Sequence, residues 1–354
     1  LELFSRGTRK LVGVDISSVG VKLIELSRDK AGLKLEAMAM TSIPRDAIVE
    51  NTIIDSSAVT AAIREAVNIA RPTGREAAFS VSGNAAIIKM ITLPTMSEFD
   101  LESEIEFEAN EYIPYNIDEV FLDFQILGPV PNDPERMEVV LVACKREVIE
   151  DYQLVLKEAG LEAACVDCSV FCLENAAELM QGQIWDADST EETVYALVNI
   201  GASLISINIL SNGRSLFVRD QFFGGQNLTE EIQSVHGLSY EAAEEMKIRD
   251  FSRVDAGAVA SFYEGLGSEL ARSLDFYVAN HAGRPVQKMY ISGGSALIPG
   301  IDREMSERLG IETSILNPFS VIDVPDQKFD TAYLQAVGPM MMVPVGLALR
   351  SFDE

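Results

Sequence analysis

A block of three short apolar strands occurs twice in this 354-residue sequence, and that repetition constrains the fold more than any single motif. In the first block residues 10–16 form an apolar run. Residues 19–27 alternate through Val21 and Leu23, and residues 33–43 alternate through Leu33, Leu35, Ala37 and Ala39. The joining segments SSVG and RDKAG are turn-forming and place Gly20 and Gly32 where unusual backbone angles are needed. The second block repeats the plan at residues 193–200, 204–210 and 215–223, with Gly201 and Gly213 in its turns NIGAS and SNGR. Two similar lobes of α/β type are the expectation, each opening on a small-residue hairpin.

The rest of the chain fills in around those blocks. A helix is predicted over 56–70, capped by Asp55 or Ser56, with Val59, Ile63, Ala66 and Val67 on one face. A strand follows at 77–82. From Asn84 the pattern changes to a strand at 85–93, an acidic helix DLESEIEFEANEYI capped near Ser97 or Asp100, strands at 121–127 and 138–144 around the loop GPVPNDPER, and a helix at 146–159. This stretch, 84–163, reads as an inserted α+β subdomain of order β-β-α-β-β-α. VDCSVFCLENAAELM then reads as a helix, and the polar WDADSTEET (185–193) as the crossing between halves. The expected division is 1–83 with 164–190 as a first lobe, 84–163 as the insertion, and 191–354 as a second lobe with a helical part over about 224–284. In that lobe helices are predicted at 227–235, 240–249 and 256–280, the last with Val259, Phe262, Leu266, Leu270, Leu274 and Val278 along one face. A strand at 288–292, a helix at 298–310 and a closing helix rich in Ala, Met and Leu complete it.

Charge narrows the function. The formal net charge of −27 is spread along the chain and disfavours a nucleic-acid partner. An anionic nucleotide would need Mg²⁺ and a local cluster of N–H donors. The N-terminal region lacks the apolar run of a signal peptide. The most apolar stretch, AVGPMMMVPVGLAL (336–349), is too short to span a bilayer and is interrupted by Pro339 and Pro344, so it is expected to be buried. The ending at Glu354 is taken to leave no room for a terminal membrane-binding helix. Of the four cysteines, Cys165, Cys168 and Cys172 read C-x-x-C-x-x-x-C. Their apolar setting, and the distance along the chain to His236 and His281, favour core thiols over a metal site.

Four elements carry the chemistry. The first turn, GVDISSVGVK, ends a strand on Asp15 and fills the bend with Ser17 and Ser18 before Gly20 and Lys22. Its backbone N–H groups can converge on a phosphate, and Asp15 can hold a Mg²⁺ water; Lys22 either adds positive charge or faces solvent. The second turn, VNIGAS, places Asn199, Gly201 and Ala202 at the equivalent point of the repeat, and two such hairpins would clamp phosphates between them. The third, MYISGGSALIPG, runs a strand into Gly293, Gly294 and Ser295, where the backbone can lie flat against a nucleoside. The fourth is Glu244 with Lys247, three apart on one helix face; in isolation such a pair reads as an exposed ion pair.

In this order the four elements resemble the actin-like (RNase H-like) ATPase superfamily, which includes actin, heat-shock ATPases, sugar kinases and the cell-division protein FtsA. The resemblance implies ATP and Mg²⁺ as cofactors. Asp15, Ser17, Ser18 and Lys22 would line phosphate and metal, with Asp15 acting on the metal through water. Asn199, Gly201 and Ala202 would form the opposing hairpin, Glu244 and Lys247 would flank the ribose, and Gly293, Gly294 and Ser295 would lie against the nucleoside. Within the superfamily the chain resembles the PilM family over nearly its whole length. The residues that carry this are LVGVDISSVGVKLIEL, EFEANEYIPYNIDEVFLDFQIL, VLVACKREVIEDYQLVLKEAGL, VDCSVFCLENA, FFGGQNLTEEI and VPVGLALR.

That resemblance implies a cytoplasmic scaffold of the type IV pilus machine at the inner face of the inner membrane. It would grip the N-terminal cytoplasmic peptide of PilN, and through it join the PilN/PilO platform to the pilus motor ATPases, in support of twitching motility. The strand IIKMITLP and the helix IEFEANEYI are the expected peptide-binding segments. Many family members have Gly at the position of Ser17 and Asp at that of Asn199. An amide at the second turn implies at most slow hydrolysis, and no residue stands out as a catalytic base. The alternatives are an FtsA-like filament-forming ATPase, which reaches the membrane through a C-terminal amphipathic helix, and a small-molecule kinase, which needs a carboxylate base.

Overall fold

The computed structural model describes residues 10–130, 133–184, 193–281 and 283–352. The expected crossing at 185–193 lies, apart from Thr193, outside the described residues. The chain packs into two compact units, Leu1–Glu25 with Ala37–Ser169 and Arg350–Glu354, and Leu26–Glu36 with Val170–Leu349.

The predicted hairpin forms as β1 (Leu11–Ser17), β2 (Gly20–Asp29) and β3 (Gly32–Ser42), with Leu26–Glu36 at the β2–β3 turn counted in the second unit. A two-residue-per-strand hairpin, β4 (Ile48–Val49) and β5 (Thr52–Ile53), precedes α1 (Ser56–Ala70) and β6 (Glu76–Val81). Asp55 caps α1 by accepting from the Ala58 N–H, and the helix ends where Arg71 takes the left-handed region at φ 50°. The predicted face of Val59, Ile63, Ala66 and Val67 is buried against the sheet core. Gly20 is required in the β1–β2 turn, because a Cβ there would sit 2.4 Å from the Thr41 carbonyl oxygen. Glu25 is buried at 2% exposure and accepts from the Thr73 and Gly74 N–H groups and the Thr73 hydroxyl, which anchors the loop after α1.

The insertion follows as β7 (Ala86–Pro94), α2 (Glu98–Ala109), β8 (Val120–Val130), β9 (Asp133–Lys145) and α3 (Arg146–Glu158), after which β10 (Glu162–Cys168) returns to the large sheet. Its order is thus β-α-β-β-α, which corrects the expected β-β-α-β-β-α: the strand before it pairs in the large sheet instead. β8 and β9 also run through most of the segment expected as a loop, since their antiparallel pairing continues to Val130 and Asp133. The small sheet has the order β7-β9-β8 and packs one face on α2 through Ile91, Leu93, Val139 and Leu141 against Leu101 and Ile105. Residues 166–168, expected in a helix, belong to β10, where parallel pairing with β6 overrides helical patterning.

The second unit begins with α4 (Ser169–Glu178) and α5 (Gln181–Ile184), then β11 (Val194–Ile200), β12 (Ile205–Ser211) and β13 (Arg214–Gln221). Helices α6 (Gly225–His236), α7 (Tyr240–Arg249) and α8 (Ala256–Asn280) come next, followed by β14 (Lys288–Ser292), α9 (Ile301–Leu309) and β15 (Glu312–Ile315). Phe262, Leu266, Leu270 and Leu274 of α8 are buried in the core with Ile207 and Ile291. The helix predicted from 298 begins at Ile301, because Gly300 sits at φ 83° and Gly294–Leu297 forms a tighter single turn. β15 was not anticipated; its alternation is too short to read.

The last apolar stretch is not one helix but α10 (Thr331–Val337), a turn at Gly338–Met341, and α11 (Met342–Leu349). Thr331–Phe352 is long and apolar enough to cross a membrane by composition, yet 67% of its most apolar window is buried, including every residue of α11. A Cβ at Gly346 would lie 1.8 Å from the Cys172 carbonyl oxygen, so α11 and α4 meet backbone to backbone. The large sheets of the two units read β3-β2-β1-β6-β10 and β13-β12-β11-β14-β15. In each, an antiparallel three-strand block is followed by two parallel strands, so the sequence repeat is a repeat of topology.

Candidate functional site

The first-turn residues lie on the β1–β2 hairpin. Asp15 is paired opposite Lys22 in the strand register, and the lysine ammonium donates to the Asp15 carboxylate at 2.6 Å. Lys22 therefore faces Asp15 rather than solvent, with both side chains 15% exposed. The Ser17 hydroxyl donates to the Gly20 carbonyl at 3.0 Å and closes the turn that carries Ser18. A metal-bound water at Asp15 would share the carboxylate with Lys22.

In the second unit eight of the residues singled out from the sequence come together: Asn199, Gly201, Ala202, Glu244, Lys247, Gly293, Gly294 and Ser295. Gly201, Ala202, Lys247 and Ser295 meet a pair of glycines, Gly224 and Gly225, where α6 begins, while Asn199 and Gly293 lie against one another at the strand ends beside them. The Gly225 and Gln226 N–H groups donate to the Gly201 and Ala202 carbonyls at 3.0 and 2.8 Å. The first N–H groups of the helix are thus bound by the turn itself, and the Gly201 N–H in turn donates to the Leu204 carbonyl at 2.8 Å, so an anion here would depend mainly on side chains. A side chain is excluded at Gly224, where a Cβ would lie 2.5 Å from the Ala202 carbonyl oxygen; at Gly225 a Cβ would lie 2.7 Å from the Ser295 hydroxyl, which would have to turn away. Ser295 donates to the Gly201 carbonyl at 2.8 Å, tying the third element to the second. Gly293, at φ 90°, presses its Cα toward the Ile200 carbonyl, while Gly294 is exposed. Asn199 is held in the strand, accepting from the Ser292 hydroxyl at 3.3 Å.

Lys247 is the electrostatic centre of this cluster. Its ammonium donates to the Gly225 carbonyl at 3.0 Å, the Thr229 hydroxyl at 2.8 Å and the Glu244 carboxylate at 2.7 Å. Three acceptors match the three N–H donors of an ammonium. Burial pushes its pKa below the ordinary 10.5, with Glu244 pulling the other way. Thr229, wholly buried, also donates to Glu244 at 2.5 Å. Thr229, Gly224 and Gly225 were not singled out as site residues; the glycine pair opening a helix in FFGGQNLTEEI was the available signal.

A model of the family described as type IV pilus assembly protein PilM matches residues 13–352. The chain belongs to that family. A solved structure of the PilM–PilN type IV pilus biogenesis complex is 28% identical, spans 98% of this chain and 100% of the other, and superposes with a TM-score of 0.87. The ethanolamine utilization protein EutJ from Carboxydothermus hydrogenoformans is 16% identical over 99% of this chain and 92% of that one, with a TM-score of 0.56. MreB5 of Spiroplasma citri, solved bound to AMPPNP, is 11% identical over 96% and 95%, with a TM-score of 0.50. These last two share the actin-like fold.

In this PilM-family chain the backbone of the second-unit turns is partly closed to a ligand. Gly294 is exposed and leaves its backbone open to a ligand, whereas Gly225 is buried beneath Ser295 and Lys247 and the Gly201 N–H already donates to the Leu204 carbonyl. Lys247 fits once it exchanges one of its three acceptors for the ligand. Among the described residues no group of three His, Cys, Asp or Glu side chains is placed to hold a metal, and Cys144, Cys168 and Cys172 are buried and form no disulfide.

Proposed function

We propose that this PilM-family protein is a nucleotide-binding scaffold that binds the N-terminal peptide of PilN at the inner face of the inner membrane. The observation that carries the reading is the match to a PilM–PilN complex over 98% of the chain. ATP is the proposed nucleotide, with Mg²⁺ near Asp15 through water. Asp15, Ser17, Ser18 and Lys22 would serve its phosphates and metal from the first hairpin. Gly201 and Ala202 would contact phosphate, Glu244 and Lys247 the ribose, and Gly293, Gly294 and Ser295 the nucleoside. The Asn199 amide, neutral and already accepting from Ser292, offers no carboxylate to orient an attacking water, which favours slow turnover or none. The lobes at 1–83 with 164–190 and at 191–354, and the insertion at 84–163, are the proposed functional division.

The PilN peptide is proposed to use the face of the small sheet turned away from α2. Strand pairing sets Met90, Val140 and Gln125 in one row there and Ile88, Val142 and Asp123 in the next. Met90 is 38% exposed, and Ile88 half-buried, so the strand IIKMITLP offers apolar surface. In IEFEANEYI, Ile105, Ala109 and Ile113 are core and are excluded from that role. Onward links to PilO, to the motor ATPases and to twitching motility extend the same proposal.

A labelled PilN N-terminal peptide titrated with the full chain, with and without Mg-ATP, tests it. Saturable binding whose affinity changes with Mg-ATP is expected. Absence of binding in both conditions would sink the scaffold reading, while equal binding in both would sink only the coupling to nucleotide.

A further inference from the structure

Helix α2 packs into the insertion through Leu101, Ile105 and Ala109. Its outward face carries Phe99 and Phe107, which are 77% and 78% exposed, the highest values among the exposed large apolar side chains of the described residues. At about 100° per residue, Phe99, Ser103 and Phe107 form one stripe along the helix. Asp100 and Glu104 flank it on one side, and Glu102 and Glu106 on the other. With Glu98 and Glu108 the helix holds six carboxylates and no Lys or Arg. Only three of its twelve residues are buried. Two aromatic rings held in water between carboxylate rails make a surface with a defined complement.

We propose that this face docks a basic amphipathic segment of another protein, with its apolar side chains over Phe99 and Phe107 and its Lys or Arg side chains along the rails. The charge of the chain selects this occupant. A second copy, also at −27, would bring like charge to the rails, and an anionic bilayer would do the same. Burial of the two rings supplies the attraction that charge alone does not, and Arg or Lys over an aromatic face adds to it. The face lies on the opposite side of the small sheet from that proposed for the PilN peptide, so the inference goes beyond that reading and does not rest on it.

The test uses the full chain and a leucine–lysine peptide patterned as an amphipathic helix about five turns long. A scrambled peptide of the same composition is the control. Saturable binding of the patterned peptide is expected, weakened by about tenfold or more in Phe99→Ser/Phe107→Ser and in Glu102→Gln/Glu106→Gln. The scrambled peptide should bind weakly and equally to wild type and the Phe variant. Hydrogen exchange should slow along Glu98–Ala109 when the patterned peptide binds. Both rings are exposed, so the thermal midpoint should not move; if it does, Phe107→Ser alone with the exchange readout decides. Unchanged affinity in the Phe variant would reduce the binding to diffuse charge and overturn the proposal. It would be overturned equally by a Phe-dependent dimer in sedimentation, by Phe-dependent binding to phosphatidylserine vesicles, or by loss of PilN-peptide binding in the Phe variant.

Discussion

At the scale of single residues, the second-unit cluster depends on Thr229 as much as on the Glu244–Lys247 pair. Its hydroxyl accepts from Lys247 and sits against Glu244 with no exposed surface. Thr229→Val leaves a partly buried ammonium and a carboxylate each short of a partner. A loss of about 1–3 kcal/mol in urea unfolding is expected, with a weaker hold on any nucleotide measured by fluorescence titration. Cys144 gives a pH-dependent readout. Burial pushes its thiol from 9.0 up to about 11, so the folded chain keeps a proton that the unfolded chain releases in that window. Its contribution to stability is therefore full below pH 9 and falls as pH rises toward 11. At pH 9, alkylation of Cys144 in the folded protein should run about fiftyfold slower than in urea, as mass spectrometry of the labelled peptide can read.

Among the elements, α11 depends most on one small residue. The Gly346 Cα faces the Cys172 carbonyl so closely that Gly346→Ala must push α11 off α4. Overpacking of this kind costs about 1–3 kcal/mol or more, and a lowered urea midpoint with an unchanged m-value is expected. What the sequence made legible follows the same logic of spacing. Long periodic elements such as α8, and alternating strands such as β1 and β11, declare themselves because one buried face fixes the pattern over many residues. β10 did not, because Ala163, Cys165, Val166 and Cys168 are small or apolar in a way both helix and strand accept, and only its partner β6 decides. The Glu244–Lys247 pair was visible as a helical spacing. The Thr229 hydroxyl that completes it was not, because that contact joins two helices and no local rule links residue 229 to 247.

For the whole molecule, the shared strand order of the two large sheets accounts for the paired turns. Each sheet opens with a hairpin whose first strand is central, flanked on one side by its antiparallel partner and on the other by a parallel strand. The turns at Ser18 and Gly201 occupy the same place in the two topologies, which is why the repeat is visible in the amino-acid sequence alone. A further consequence concerns synthesis. The Ser351 hydroxyl accepts from the Leu11 N–H at 2.9 Å, and the Arg350 guanidinium holds the Asp167 carboxylate at 2.6 Å. These contacts belong to the first unit, yet 180 residues of the second, Val170–Leu349, are translated before them. At about 5–20 residues per second the nascent first unit waits on the order of ten to forty seconds for its final staples. Through that interval the nascent first unit lacks the hydrogen bond and the ion pair that its last residues supply.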